Sequence, residues 1–175
     1  VPDNNGNLFL YEGLELRAEY QARIASLKEI LPENRRNPFR SPDHERWEPV
    51  TDFVPANIRE EIKKLEFKER KLNTALQQVN FVKTLILEGE EMTIAEALEL
   101  RKSANKEIGD LQKMTLQAAY RRIIYKEERN ITEQPDISYT VVSHQLEELR
   151  LRFRQLNRAL RKVSFEIIIP FHDEK

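Results

Sequence analysis

Three histidines, His44, His144 and His172, are the side chains best suited to hold a transition metal. A bundle-type di-iron centre needs a glutamate three residues before its histidine on the same helix face. None of the three has a carboxylate at that spacing. His144 comes closest, with Glu148 one helical turn on, an arrangement that an ordinary solvated helix face also provides. Asp43, His44 and Glu45 put two carboxylates and an imidazole side by side on a loop, with no fixed geometry. The four glycines are too few for a phosphate-cradling loop, and no serine stands in a nucleophile elbow. Without cysteine, thiolate chemistry and disulfides are excluded, which agrees with a reducing compartment. The expectation is a protein with no metal, no cofactor and no catalytic centre.

Charge gives no stronger lead. Lysine and arginine number 29 against 30 acidic residues, so the chain as a whole is not drawn to nucleic acid or to anionic membranes. Arg150, Arg152, Arg154, Arg158, Arg161 and Lys162 form a basic stretch, the one place where a nucleic acid would be held, although arginines at these spacings spread around a helix and usually serve as a solubilising face. No apolar run reaches the 18 or so residues of a membrane span. The first residues lack the basic start and apolar middle of a signal peptide. A soluble, cytoplasmic protein is expected.

The elements that would position any site follow from an internal repeat. Shifting the sequence by 84 positions aligns Glu12, Leu14, Glu15, Leu16, Arg17, Ile24 and Leu27 with Glu96, Leu98, Glu99, Leu100, Arg101, Ile108 and Leu111. The same shift, with no gap, aligns Leu65, Arg70, Leu72, Asn73, Leu76 and Val79 with Leu149, Arg154, Leu156, Asn157, Leu160 and Val163. The repeats run over about 8–88 and 92–172. A period this long that occurs twice reads as a duplicated helical hairpin within a single domain, not as a solenoid.

Periodicity then assigns the helices. Val142, Leu146, Leu149, Phe153, Leu156, Leu160, Val163 and Ile167 advance in steps of four and three, one apolar stripe with the repeat of a left-handed supercoil. Ile58, Ile62, Leu65, Leu72, Leu76 and Val79 hold the same phase in the first copy, with Glu69 as the polar interruption. The first helix is predicted from about Leu10 to Leu31, stopped by Pro32, and the second from near Asn57, with Asn57 and Glu60 as a capping box. Thr93 and Glu96 form another capping box, opening a third helix to about Glu128, some 54 Å long. The fourth spans roughly Thr140 to Ile168. The fold expected is all-α, an antiparallel coiled-coil-like four-helix bundle of two tandem hairpins. The segment Lys83 to Ile94, with Glu88 and Gly89 at its centre, has a second reading as a short β-hairpin between the repeats.

Two groups of residues stand out on this frame. Arg17 and Arg101 each break an apolar stripe at the same place in their repeat. Each either packs its stem with its head in water or anchors a polar network with Asn73 and Asn157. Between Pro32 and Ala56 lie five of the eight prolines, a Pro-rich insert 32–56 facing the helix-forming run Leu116 to Glu128 of the second copy. Loops that long tend to be functional. Its Phe39 and Trp47, set among arginines, are the candidate contacts for a protein partner, although Trp47 also suits a clip onto the helices.

The stretches Glu12 to Ile24, Asn80 to Thr84 with Glu88-Gly89, and Thr93 to Arg101 resemble the small bacterial helical proteins labelled septicolysin. The resemblance implies a bacterial, cytoplasmic, helical protein of unsettled activity; the label itself implies a membrane-active cytolysin, yet no amphipathic pore strand or insertion helix accompanies it. The expected role is therefore non-enzymatic: self-association into a homo-oligomer, or a protein partner taken through 32–56. A cytolysin-like activity and nucleic-acid binding through the basic fourth helix are the alternatives.

Overall fold

The computed structural model describes residues 8–34 and 48–172. Over these the chain is mostly helical, with four α-helices and three short antiparallel strand pairs. The order is β1 (Leu8–Phe9), α1 (Leu10–Glu29), a 3-10 turn (Pro32–Asn34), α2 (Pro55–Val82), β2 (Thr84–Leu87), β3 (Glu90–Thr93), α3 (Ile94–Ala118), β4 (Arg122–Lys126), β5 (Arg129–Glu133), α4 (Tyr139–Glu166) and β6 (Ile168–Ile169). Two compact units result: Val1–Val79 with Ser164–Lys175, and Asn80–Val163.

In the first unit β1 pairs with β6, Leu8 opposite Ile169 and Phe9 opposite Ile168. The Leu10 amide then donates to the Ile167 carbonyl at 2.8 Å. The pairing lays β6 against the start of α1, where a Cβ on Gly13 would run into Ile169 Cδ1 and force that side chain to shift. Leu72, Leu76 and Ile169 are the most deeply buried side chains of this unit, joined by Leu10, Tyr20, Ile24, Ile62, Leu65 and Val79. The stripe read from the sequence of α2 is thus its buried face. Glu69, the polar break in that stripe, is half-buried and accepts from Gln21 Nε2 at 2.7 Å. Ion pairs of Arg23 with Glu61 and of Lys28 with Glu66 line the exposed margin between α1 and α2.

The second unit contains the β2–β3 hairpin, so of the two readings of Lys83 to Ile94 the chain adopts the strands. Leu85 faces Met92 and Thr84 faces Thr93. The turn Glu88-Gly89 has φ of 53° and 90°, the left-handed pair of a type I′ turn, and Gly89 occupies the second place without steric cost. Leu85, Ala97 and Leu156 form the core here, with Leu87, Met92, Leu160 and Val163 against them. Adding 84 to residues 8 and 9, and subtracting 84 from 168 and 169, turns the β1–β6 pairs into pairs found in β2–β3. The bond from the Ile94 amide to the Lys83 carbonyl, 3.0 Å, matches Leu10 to Ile167 in the same way.

The capping box opening α3 is complete. Thr93 Oγ1 accepts from the Glu96 amide at 3.1 Å, and Glu96 Oε2 accepts from the Thr93 amide at 2.7 Å. At the start of α1 the equivalent residues are Phe9 and Glu12, and only the glutamate half exists, since phenylalanine carries no acceptor. Backbone and hydroxyl donation from Thr93 holds the Glu96 carboxyl below its ordinary 4.5. A depressed carboxylate contributes stability above its unfolded-state value and loses it as pH falls through the folded one. Glu96→Ala is therefore expected to lower the melting temperature at neutral pH, the gap to wild type closing as pH falls through the depressed folded-state value. Thr93→Ala should cost about 1 kcal/mol in urea titrations.

Two boundaries and one class assignment need correction. The chain is not all-α, because three strand pairs accompany the helices. α2 starts at Pro55, not at Asn57, since proline suits the first helical position, where its missing amide costs nothing. Asn57 lies inside the helix and donates its amide to the Val54 carbonyl. α3 ends at Ala118, so it is about 38 Å long, and the 54 Å overhang disappears. The run read as helix up to Glu128 becomes the hairpin β4–β5. Ile123, Ile124, Ile131 and Thr132 are β-branched and lose rotamer freedom in a helix, and Tyr125 shares the preference for strands.

Candidate functional site

Four residues expected to form paired polar networks behave differently in the two units. Arg17 in α1 is half-buried and donates through Nη1 to Asn73 Oδ1 in α2 at 3.2 Å. Arg101 in α3 is exposed and has no hydrogen-bond or ionic partner among the described residues. Asn157 in α4 turns back to its own helix, donating to the Phe153 carbonyl at 2.9 Å. No described polar side chain is fully buried. With the Arg17 head in partial contact with water, Arg17→Ala is expected to cost about 1 kcal/mol, and Arg101→Ala less than about 0.5 kcal/mol. Denaturant melts of the two variants read this difference directly.

Phe39 and Trp47 lie outside the described residues, as does His44 with its acidic neighbours. The segment is anchored just before them. Asn34 Nδ2 donates to the Lys28 carbonyl at the end of α1, and Glu33 accepts from Arg59 of α2 at 3.0 Å. Hydrogen bonding from its own backbone amide and then from Arg59 lowers the Glu33 carboxyl below the usual range. His144 lies 3.6 Å from Glu148, both exposed, and among the described residues no group of three potential ligands could hold a metal.

Two surfaces escaped the sequence reading. The first is an open groove of about 1090 Å³ in the first unit, lined by Lys63, Lys64, Lys68 and Lys71 of α2 together with Phe171 and His172. Phe67 stands at it with half its surface exposed, the Lys71 ammonium 5.5 Å and the Arg70 guanidinium 6.0 Å from the ring centroid. Glu61 also lines the groove but is paired there with Arg23 of α1, and Glu66 is paired with Lys28, so the lysines set the groove's charge. Counting acids and bases in the sequence hides this concentration; helical phase together with the α1 partners reveals it.

The second surface is the β4–β5 hairpin and the chain that leads into it. Leu116 is 68% exposed, Tyr120 76%, Ile123 56% and Tyr125 72%. Every residue of β5 is exposed, and in β4 only Ile124 is even half-buried. The turn residues Glu127 and Glu128 have φ of 53° and 60°, a type I′ turn without the asparagine or glycine that normally occupies it. That substitution is why no turn signal stood out in the sequence.

No protein-family model matches the chain, and no curated protein matches it in sequence. Among solved structures it is similar to the crystal structure of a functionally unknown conserved protein from Corynebacterium diphtheriae, with a TM-score of 0.71 and 18% identity over 93% of this chain and 99% of that one. Likeness at that identity establishes a shared fold.

Proposed function

We propose that this chain is a non-enzymatic helical protein that acts by association, with copies of itself or with a protein partner. One observation carries the reading. Leu116, Tyr120, Ile123 and Tyr125 place four large apolar side chains in solvent within ten residues, on the end of α3 and a strand of an isolated hairpin. Single exposed apolar residues are normal, but concentrated ones mark interaction surfaces. A two-stranded hairpin is also marginal alone in water and gains from further strands or a packing partner. The repeated registers of β1–β6 and β2–β3 support a second element of the proposal, that the chain arose by duplication of one helical hairpin. Replacing Tyr120, Ile123 and Tyr125 together by serine should abolish the association seen by sedimentation while leaving far-ultraviolet helicity intact. Dye release from anionic vesicles at low protein concentration would instead support the cytolysin-like role that the septicolysin resemblance implies.

The lysine groove favours one other reading, a polyanionic partner. Phe67 offers a face for stacking amid cations, the combination that single-stranded nucleic acid exploits. The basic stretch of α4 is less suited, because Arg150 is already held by Glu147 at 2.6 Å. Binding of a labelled single strand that falls steeply with salt and is lost in Lys64→Glu/Lys71→Glu would establish it.

A further inference from the structure

We propose that β5 is the contact between two copies of this chain, pairing antiparallel with β5 of the second copy about a twofold axis at Ile131. The inference rests on the association reading above and specifies its surface and partner. Its starting point is the turn. In a type I′ turn the Arg129 amide bonds to the Lys126 carbonyl, so the backbone polar groups of Arg129 face β4. Along an antiparallel ladder the bonding direction alternates. Ile131 and Glu133 therefore also bond inward, opposite Ile124 and Arg122, while the amides and carbonyls of Asn130 and Thr132 point out from the free edge.

A second β5 meeting that edge bonds to the same outward groups. Only the register centred on Ile131 makes Asn130 and Thr132 exchange bonds with each other while also setting Arg129 opposite Glu133 of the second copy. The sequence Arg129-Asn130-Ile131-Thr132-Glu133 is self-complementary in that arrangement, with an ion pair at each end and the two Ile131 side chains in the closer, non-hydrogen-bonded position. Those charges are only loosely engaged within the chain, Arg129 with Glu127 and Arg122 with Glu133, each at 3.7 Å and exposed. On one face of the resulting four-stranded sheet, Ile124 and Ile131 of each copy form a continuous apolar row. The other edge does not work this way, because β4 paired with itself about Ile124 would set Arg122 opposite Lys126. β5 also lacks the lysines and prolines that normally guard an open edge, and Pro135 marks where pairing stops.

The test is sedimentation velocity on the full chain and on Arg129→Glu and Glu133→Arg, separately and mixed. Wild type is expected to dimerise. Each single variant should dimerise about tenfold or more weakly, since like charges then face each other twice per interface. Mixing the two variants should restore dimers, because every pair is again complementary. Thr132→Pro removes an outward amide while the inward bonds of the hairpin remain, and it should also yield monomer. Single variants or Thr132→Pro that still dimerise like wild type would overturn the β5 contact and leave the broader association reading standing. A mixture that stays monomeric would overturn it equally. A wild type that is monomeric throughout would overturn this inference and restrict the association reading to a foreign partner.

Discussion

Ile169→Asp is expected to cost at least about 3–5 kcal/mol and to unfold the first unit at moderate urea, whereas Ile168→Asp next to it should cost less than about 1 kcal/mol. The two positions share a strand but not a face. Ile169 has no exposed surface and its Cδ1 lies above Gly13, while Ile168 is 46% exposed. An aspartate at the first must enter the core charged, with no partner, or take up a proton to avoid it. The second unit supplies the matched pair, with Leu85 almost fully buried and Ile86 71% exposed, so Leu85→Asp should again far exceed Ile86→Asp. Equal effects at neighbouring positions in circular-dichroism urea titrations would show that the strand alternation assigned to β6 and β2 is wrong.

Leu72→Ala should cost about 2–5 kcal/mol, the range for emptying a fully buried leucine site. Leu72 is completely inaccessible and lies in the α2 stripe with Leu76, Leu65 and Val79, so little can collapse into the space. Phe67, one residue type larger but half exposed on the opposite side, provides the contrast. Phe67→Ala should change stability by no more than about 0.5 kcal/mol. A loss at Phe67 comparable to that at Leu72 would mean the groove face is covered in the native molecule.

What the sequence announced and what it concealed divide by the range of the interaction. The stripes of α2 and α4, the Thr93-Glu96 box and the Glu88-Gly89 turn are local patterns, and each is visible within a few residues. The β1–β6 pair was not, since two-residue strands about 160 positions apart leave no periodicity of their own. β4–β5 was hidden for another reason: Glu127 and Glu128 read as helix formers, while the β-branched residues flanking them favour strands and decide the outcome. Repeat logic pairs Arg101 with Arg17, yet only Arg17 reaches an asparagine, because shared phase along a helix does not guarantee a shared neighbour. The basic groove was likewise invisible to a chain-wide charge balance, because the one carboxylate lining it, Glu61, is paired with Arg23 of α1.

Self-association is read by sedimentation equilibrium of the unmodified chain from sub-micromolar to tens of micromolar. A reversible rise in mass toward a dimer is expected over that range, lost when Tyr120, Ile123 and Tyr125 are replaced. A constant monomer mass throughout would contradict self-association and the β5 contact between copies, and would leave the exposed hairpin to a foreign partner.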